Sequence, residues 1–88
     1  MSQLSYYYLG LTNLSSGKSS SALDSFDRAA EIDVYAPLTE DAQFNGALAV
    51  YAAHQGRLGA GTKRFASYLR RYPTGAYRSK VILSLIHI

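Results

Sequence analysis

The chain resembles itself at a shift of 39 residues: Leu9 falls on Leu48, Gly17 on Gly56, Phe26 on Phe65 and Ala30 on Leu69. Each pair plays one role twice. A sequence with this period is built from a repeated supersecondary unit, and such a unit buries its apolar face only by stacking on a neighbour. The fold is therefore expected to be a short stack and not one closed sheet or barrel.

Periodicity identifies the unit. Four stretches carry apolar residues at helical spacing: Leu4, Tyr7, Tyr8, Leu11; Ala22, Phe26, Ala29, Ala30; Phe44, Ala47, Leu48, Tyr51; and Phe65, Tyr68, Leu69, Tyr72. No comparable stretch alternates with period two, so a sheet has no candidate strand. The chain is expected to be all-α. Gly17 breaks the first pair of helices, and Ser19 to Ser21 offer a hydroxyl that accepts an orphan amide proton at the start of the second. Pro37 ends any continuation of helix two, and Thr39-Glu40-Asp41 supplies a cap and two acids where the positive dipole end of the third helix belongs. Helix three is accordingly expected from about Glu40. Gly56 and Gly59 open a second hairpin, Gly61 is a weak spot in helix four, and Tyr72-Pro73-Thr74-Gly75 closes it before a fifth helix from about Ala76.

Spacing now carries a resemblance. Tyr6, Leu9, Gly10, Gly17, Ala22, Phe26 and Ala29, placed as they stand, resemble a tetratricopeptide (TPR) repeat, whose pattern runs aromatic, Leu-Gly, glycine turn, Ala, aromatic, Ala, Pro. The sequence departs from it at Val34, where the pattern closes on proline, and at residues 35–39, an insertion that lengthens the unit beyond about 34 residues. The second unit keeps Leu48, Gly56, Phe65 and Pro73 but has Asn45, Gly61 and Tyr68 where the pattern has an aromatic and two alanines; Leu69, the self-match of Ala30, is counted with its repeat core. Its ending, Phe65-x2-Tyr68-Leu69-x2-Tyr72-Pro73-x-Gly75-x-Tyr77, is similar to TPR units of bacterial envelope proteins of the Tol-Pal-associated division-coordinator and outer-membrane-assembly-lipoprotein types.

The resemblance implies a helical-hairpin solenoid: unit one over 1–34, the insertion over 35–39, a degenerate unit two over 40–74, and the first helix of a third unit over 75–88. It implies a concave groove that holds a partner segment, lined by Tyr7, Leu11 and Leu14 from unit one and by Gln43, Val50 and His54 from unit two. It also implies further repeats beside these, and a periplasmic or outer-membrane setting. Leu83-Ser84-Leu85-Ile86-His87-Ile88 reads either as the apolar end of helix five, which its composition permits, or, the favoured reading, as one frame of the transposase-end adapter of sequencing libraries, in which case the natural sequence is expected to stop at Ile82 and the chain is a fragment. Segments of that origin carry no fold information.

The chemistry-bearing residues are few. Gly17-Lys18-Ser19 is how a phosphate loop ends, but such a loop needs a glycine five positions earlier, where Thr12 stands, and a strand leading in. Gly17 reads as the hairpin turn and Lys18 as solvated. Two histidines, no cysteine and scattered acids suit no catalytic constellation. His54 falls at a helix C-terminus, where an imidazolium meets the negative dipole end. Asp24, Asp27 and Glu31 form a row with Arg28 at pairing distances along one helix, and a single helix face supplies too few ligands for a metal. Three consecutive tyrosines, Tyr6 to Tyr8, point about 100° apart, so at least one faces away from the core.

Charge is divided along the chain. All six acids precede Ala42, and Arg57, Lys63, Arg64, Arg70, Arg71, Arg78 and Lys80, seven of the nine bases, follow it. Such a block belongs to a solvated face or to an anion-binding patch. The sequence thus leads to a non-catalytic scaffold without cofactor or metal, binding a protein or peptide. Nucleic-acid or anionic-polymer binding through the basic half is the competing expectation, disfavoured because its aromatic residues hold core spacing instead of interleaving with the bases.

Overall fold

The structure, a computed structural model, describes residues 1–54 and 61–86. It holds α1 (Gln3–Ser15), α2 (Ser19–Ile32), α3 (Pro37–Ala53), α4 (Thr62–Arg71) and α5 (Arg78–Ile86), with no strand among the described residues. Consecutive helices pack on one another, and α1 also meets α3. The all-α expectation is met. Gly56 and Gly59, read as the second hairpin turn, lie outside the described residues, as do His87 and Ile88.

Two apolar clusters hold the helices. Ala22, Phe26, Ala29, Ala42 and Ala49 form the first, with Tyr6, Tyr7, Leu11 and Leu14 of α1 leaning on it. Phe44, Ala47, Phe65, Tyr68 and Val81 form the second, flanked by Leu48, Leu69, Tyr72 and Tyr77. Helix α3 feeds both, which is why its buried residues are spread around the helix and it lacks a clean amphipathic stripe. Phe26 and Phe65, the repeat pair, are 0% and 1% exposed, and burial of each ring contributes about 1.5–3 kcal/mol.

Glycine sets the closest approach. A Cβ on Gly10 would lie 2.6 Å from Cε1 of Phe26, so the bare backbone of α1 is the surface on which that ring rests. Gly17 has φ +79°, the left-handed turn that reverses the chain between α1 and α2.

Several expectations are corrected. Helix α3 begins at Pro37, three residues before Glu40, because proline at the first helical position lacks only an amide proton that would have no partner there. Residues 37–39 of the expected insertion are thus the first turn of α3. Thr39 is no cap: its buried Oγ1 donates to the Asp33 carbonyl and accepts from Gln3 Nε2 at 2.9 Å. No side-chain cap from Ser19 to Ser21 forms either; Lys18 is the N-cap of α2 and makes no such bond. Gly61 stands ahead of α4, not within it, as an N-cap with φ +80°. Helix α5 starts two residues after the expected Ala76 because Gly75 to Tyr77 are drawn into a turn against α3.

The inner face of α1 also differs from the apolar stripe. Leu4, Tyr8 and Leu9 are 52%, 59% and 41% exposed, and Gly10, Tyr6, Tyr7 and Leu14 face α2 instead. A glycine lets two helices approach more closely than a leucine does, and that approach fixes the rotation of α1.

Candidate interaction surface

Neither cleft found among the described residues gathers the six residues expected to line a groove. Tyr7 turns inward: its ring centroid is 5.7 Å from that of Phe26, and its hydroxyl accepts from Asn45 Nδ2 at 3.1 Å. Burial, with the Asp41 carboxylate nearby, raises its pKa. Leu11 and Leu14 pack on the first cluster. Gln43 points the other way, into a cleft between α2 and α4. Val50 is half-buried, and His54 is exposed as the C-cap of α3. Asn45, which the repeat pattern marks as a defect, is what joins α3 to Tyr7.

The repeat-core positions divide too. Gly10, Ala22, Phe26, Ala29 and Phe65 are buried, Leu48 and Leu69 are half-buried, and Gly17 and Pro73 sit exposed in turns. Leu9 is a correction, being an exposed residue. Its partner Leu48 packs with Phe44 and Ala47 on the second cluster, whereas the shifted counterparts of those three on α1, Ser5, Tyr8 and Leu9, are all exposed. Helix α3 has packed neighbours on both sides; α1 has them on one.

Acids at the start of α3 are the least foreseen feature. Tyr68 donates its hydroxyl to Glu40 Oε2 at 2.6 Å, and the same oxygen accepts the amide proton of Ala76 at 2.7 Å. Tyr77 donates its amide proton to the Tyr68 hydroxyl at 3.0 Å and its phenol to Asp41 Oδ1. Its ring stacks on Phe44 at 4.2 Å and 7°. Burial, then the hydrogen bond to Glu40, pushes the Tyr68 pKa up to about 12; the bond to Asp41, then burial, raises that of Tyr77 as well. Glu40 and Asp41 therefore clasp the α4–α5 turn, Glu40 doing so from the first turn of its own helix. The sequence hinted at this only through Tyr68, an aromatic where the repeat has alanine.

A second tertiary link joins α2 to α4. Arg64 meets Asp27 in a bidentate pair at 2.8 and 3.2 Å, with both side chains more than two-fifths exposed. The expected acidic row on α2 is thus split: Asp24 pairs with Arg28 at 2.9 Å, while Asp27 serves the next hairpin. Beside this pair lies the α2–α4 cleft of about 560 Å³, which Lys63, Arg64 and Arg71 line together with Gln43. A shallower depression of about 740 Å³ lies between the α2–α3 turn and the end of α4, where Tyr35 is 92% exposed and Arg71 donates to the Val34 carbonyl.

Among the described residues, no three His, Asp or Glu side chains converge as metal ligands, and no helix is long and apolar enough to cross a membrane. No family model, curated protein or solved structure matches the chain.

Proposed function

We propose that the chain is a non-catalytic protein-interaction module, a portion of a TPR-like stack of helical hairpins, and that it receives a partner segment on the outer face of α1. The carrying observation is the uncovered Leu4, Tyr8 and Leu9, exposed at 52%, 59% and 41%, on the helix whose repeat counterpart buries Ala47 and half-buries Gln43 and Leu48 at those positions. Apolar side chains clustered in this way on a soluble domain mark a contact surface, and tyrosine supplies area and a hydroxyl with few rotamers to freeze. Two apolar clusters sharing α3 give that face a packed support.

The test pans a displayed peptide library against the chain and titrates the selected peptides into wild type and into the Leu4→Glu/Tyr8→Glu variant. Both side chains are exposed, so the variant retains its fold. Selected peptides are expected to bind wild type at micromolar strength and to lose at least tenfold on the variant. Peptides that bind both proteins alike, or a library that yields none, would remove the α1 face as the contact surface. An α1 face covered only by an adjacent repeat of a longer chain would give that second result.

A further inference from the structure

The cleft between α2 and α4 lies apart from α1 and has its own chemistry. Lys63, Ser67 and Arg71 fall at i, i+4 and i+8, one strip of α4 that forms a wall of the cleft. Gln43 projects from α3 into the same space, and Asp27 with Arg64 closes one side. Three cations face one carboxylate there. Asp27 is bound to Arg64 through both oxygens, so it neutralises that guanidinium and leaves the positive field of Lys63 and Arg71. Arg71 spends one donor on the Val34 carbonyl and lies 5.6 Å over the Tyr72 ring; its other N–H groups remain for a ligand. No hydrogen bond within the protein engages the Gln43 amide among the described residues.

We infer that this cleft docks an acidic, extended peptide segment, with carboxylates on Lys63 and Arg71 and main-chain groups on the Gln43 amide. The spacing favours this occupant. Lys63 and Arg71 are eight residues apart, about 12 Å along a helix axis. An extended strand puts side chains of one face at i and i+4 about 13 Å apart. Acids at alternate positions of a strand therefore reach both cations, while the residue between them lies beside Ser67. A nucleic acid fits less well: Arg70 is not among the lining residues and its guanidinium donates to Ser67 Oγ at 3.2 Å, Arg78 and Lys80 lie on α5, and no exposed aromatic of the cleft offers a base a stacking platform. The inference rests on reading the chain as a protein-interaction module but concerns a face other than that of α1.

The test measures fluorescence anisotropy of a labelled peptide with glutamate at alternate positions, its glutamine counterpart and a single-stranded oligonucleotide. The proteins are wild type, Lys63→Glu, Gln43→Ala and Arg78→Glu. Lys63 is exposed and makes no ion pair among the described residues, so its replacement leaves the fold intact, while Arg78→Glu matches its change in net charge from outside the cleft. The glutamate peptide is expected to bind wild type, to weaken tenfold or more on Lys63→Glu and severalfold on Gln43→Ala, and to change less than threefold on Arg78→Glu. Equal losses on both charge reversals, tighter binding of the oligonucleotide, or equal binding of the glutamine peptide would overturn the inference. Binding of library peptides to α1 without binding of the glutamate peptide would refute the cleft alone; failure of both would refute the module reading as well.

Discussion

Glu40 and Tyr68 meet at 2.6 Å, and the carboxylate oxygen of that bond also accepts the amide proton of Ala76 at 2.7 Å. One atom at the start of α3 therefore holds the last turn of α4 and the approach to α5. Tyr68 is 1% exposed, so its hydroxyl cannot exchange this bond freely for water. The hydrogen bonds in this joint are worth more than surface pairs of the same length, because a lone buried polar group costs its full desolvation.

Tyr68→Phe keeps the ring and deletes the hydroxyl, leaving the amide of Tyr77 without its acceptor; Glu40→Ala orphans the hydroxyl from the other side. Each is expected to cost about 1–3 kcal/mol in urea unfolding. The double variant should cost less than the sum of the two, with a coupling of about 0.5–3 kcal/mol. Strict additivity would mean that the two groups do not interact in solution.

Stability is expected to fall in alkali. Folding raises the Tyr68 pKa from 10.0 to about 12, so the native state favours the neutral phenol. The sign follows from linkage: this contribution is whole below pH 10 and disappears as pH climbs through 12. Tyr77 and Tyr7 shift in the same direction. Urea midpoints measured from pH 8 to pH 12 should decline, and Tyr68→Phe should decline less steeply over that window. Parallel curves for the two proteins would rule out Tyr68 as a source.

Two glycines should fail for opposite reasons. Gly10→Ala places a methyl 2.6 Å from the buried Phe26 ring and is expected to cost about 1–3 kcal/mol through overpacking. Gly17→Ala meets nothing within 4 Å but sits at φ +79°, where a Cβ costs about 1–2 kcal/mol. Asparagine tolerates that conformation, so Gly17→Asn should recover part of the second loss, while Gly10→Asn should be worse than Gly10→Ala. Thermal melts of the four proteins decide this, and equal behaviour of alanine and asparagine at both sites would contradict the two causes.

Helix number, the Gly17 turn and the buried pair Phe26 and Phe65 were legible because each is a local pattern or a repeat of one. The entry to α3 was not, because Pro37 after an extended stretch reads equally as a stop or a start, and only the packing of Thr39 under Gln3 selects the second. The face of α1 was misread for a related reason: periodicity registers apolar size, whereas the approach of α1 to α2 is ruled by the smallest residue, Gly10. Glu40 and Asp41 were seen as dipole partners of their own helix, since nothing in a single sequence places Tyr68 and Tyr77 beside them. The six expected groove residues come from a repeat template, which carries no signal for a tertiary link such as that of Asn45 to Tyr7. The α2–α4 cleft depends on residues 27, 43, 63 and 71, whose proximity is wholly tertiary.

Force applied along the chain would be shared unequally. The first three helices interlock through α3 and a common apolar cluster, whereas α5 is retained by Val81, the stacked ring of Tyr77 and the oxygens of Glu40 and Asp41. Pulled from its two ends, the protein would yield first at this joint, peeling α5 away while the α1–α3 block still carried the load. Its mechanical strength would then be set by this one joint, whereas its thermodynamic stability sums contributions from the joint and the α1–α3 block alike.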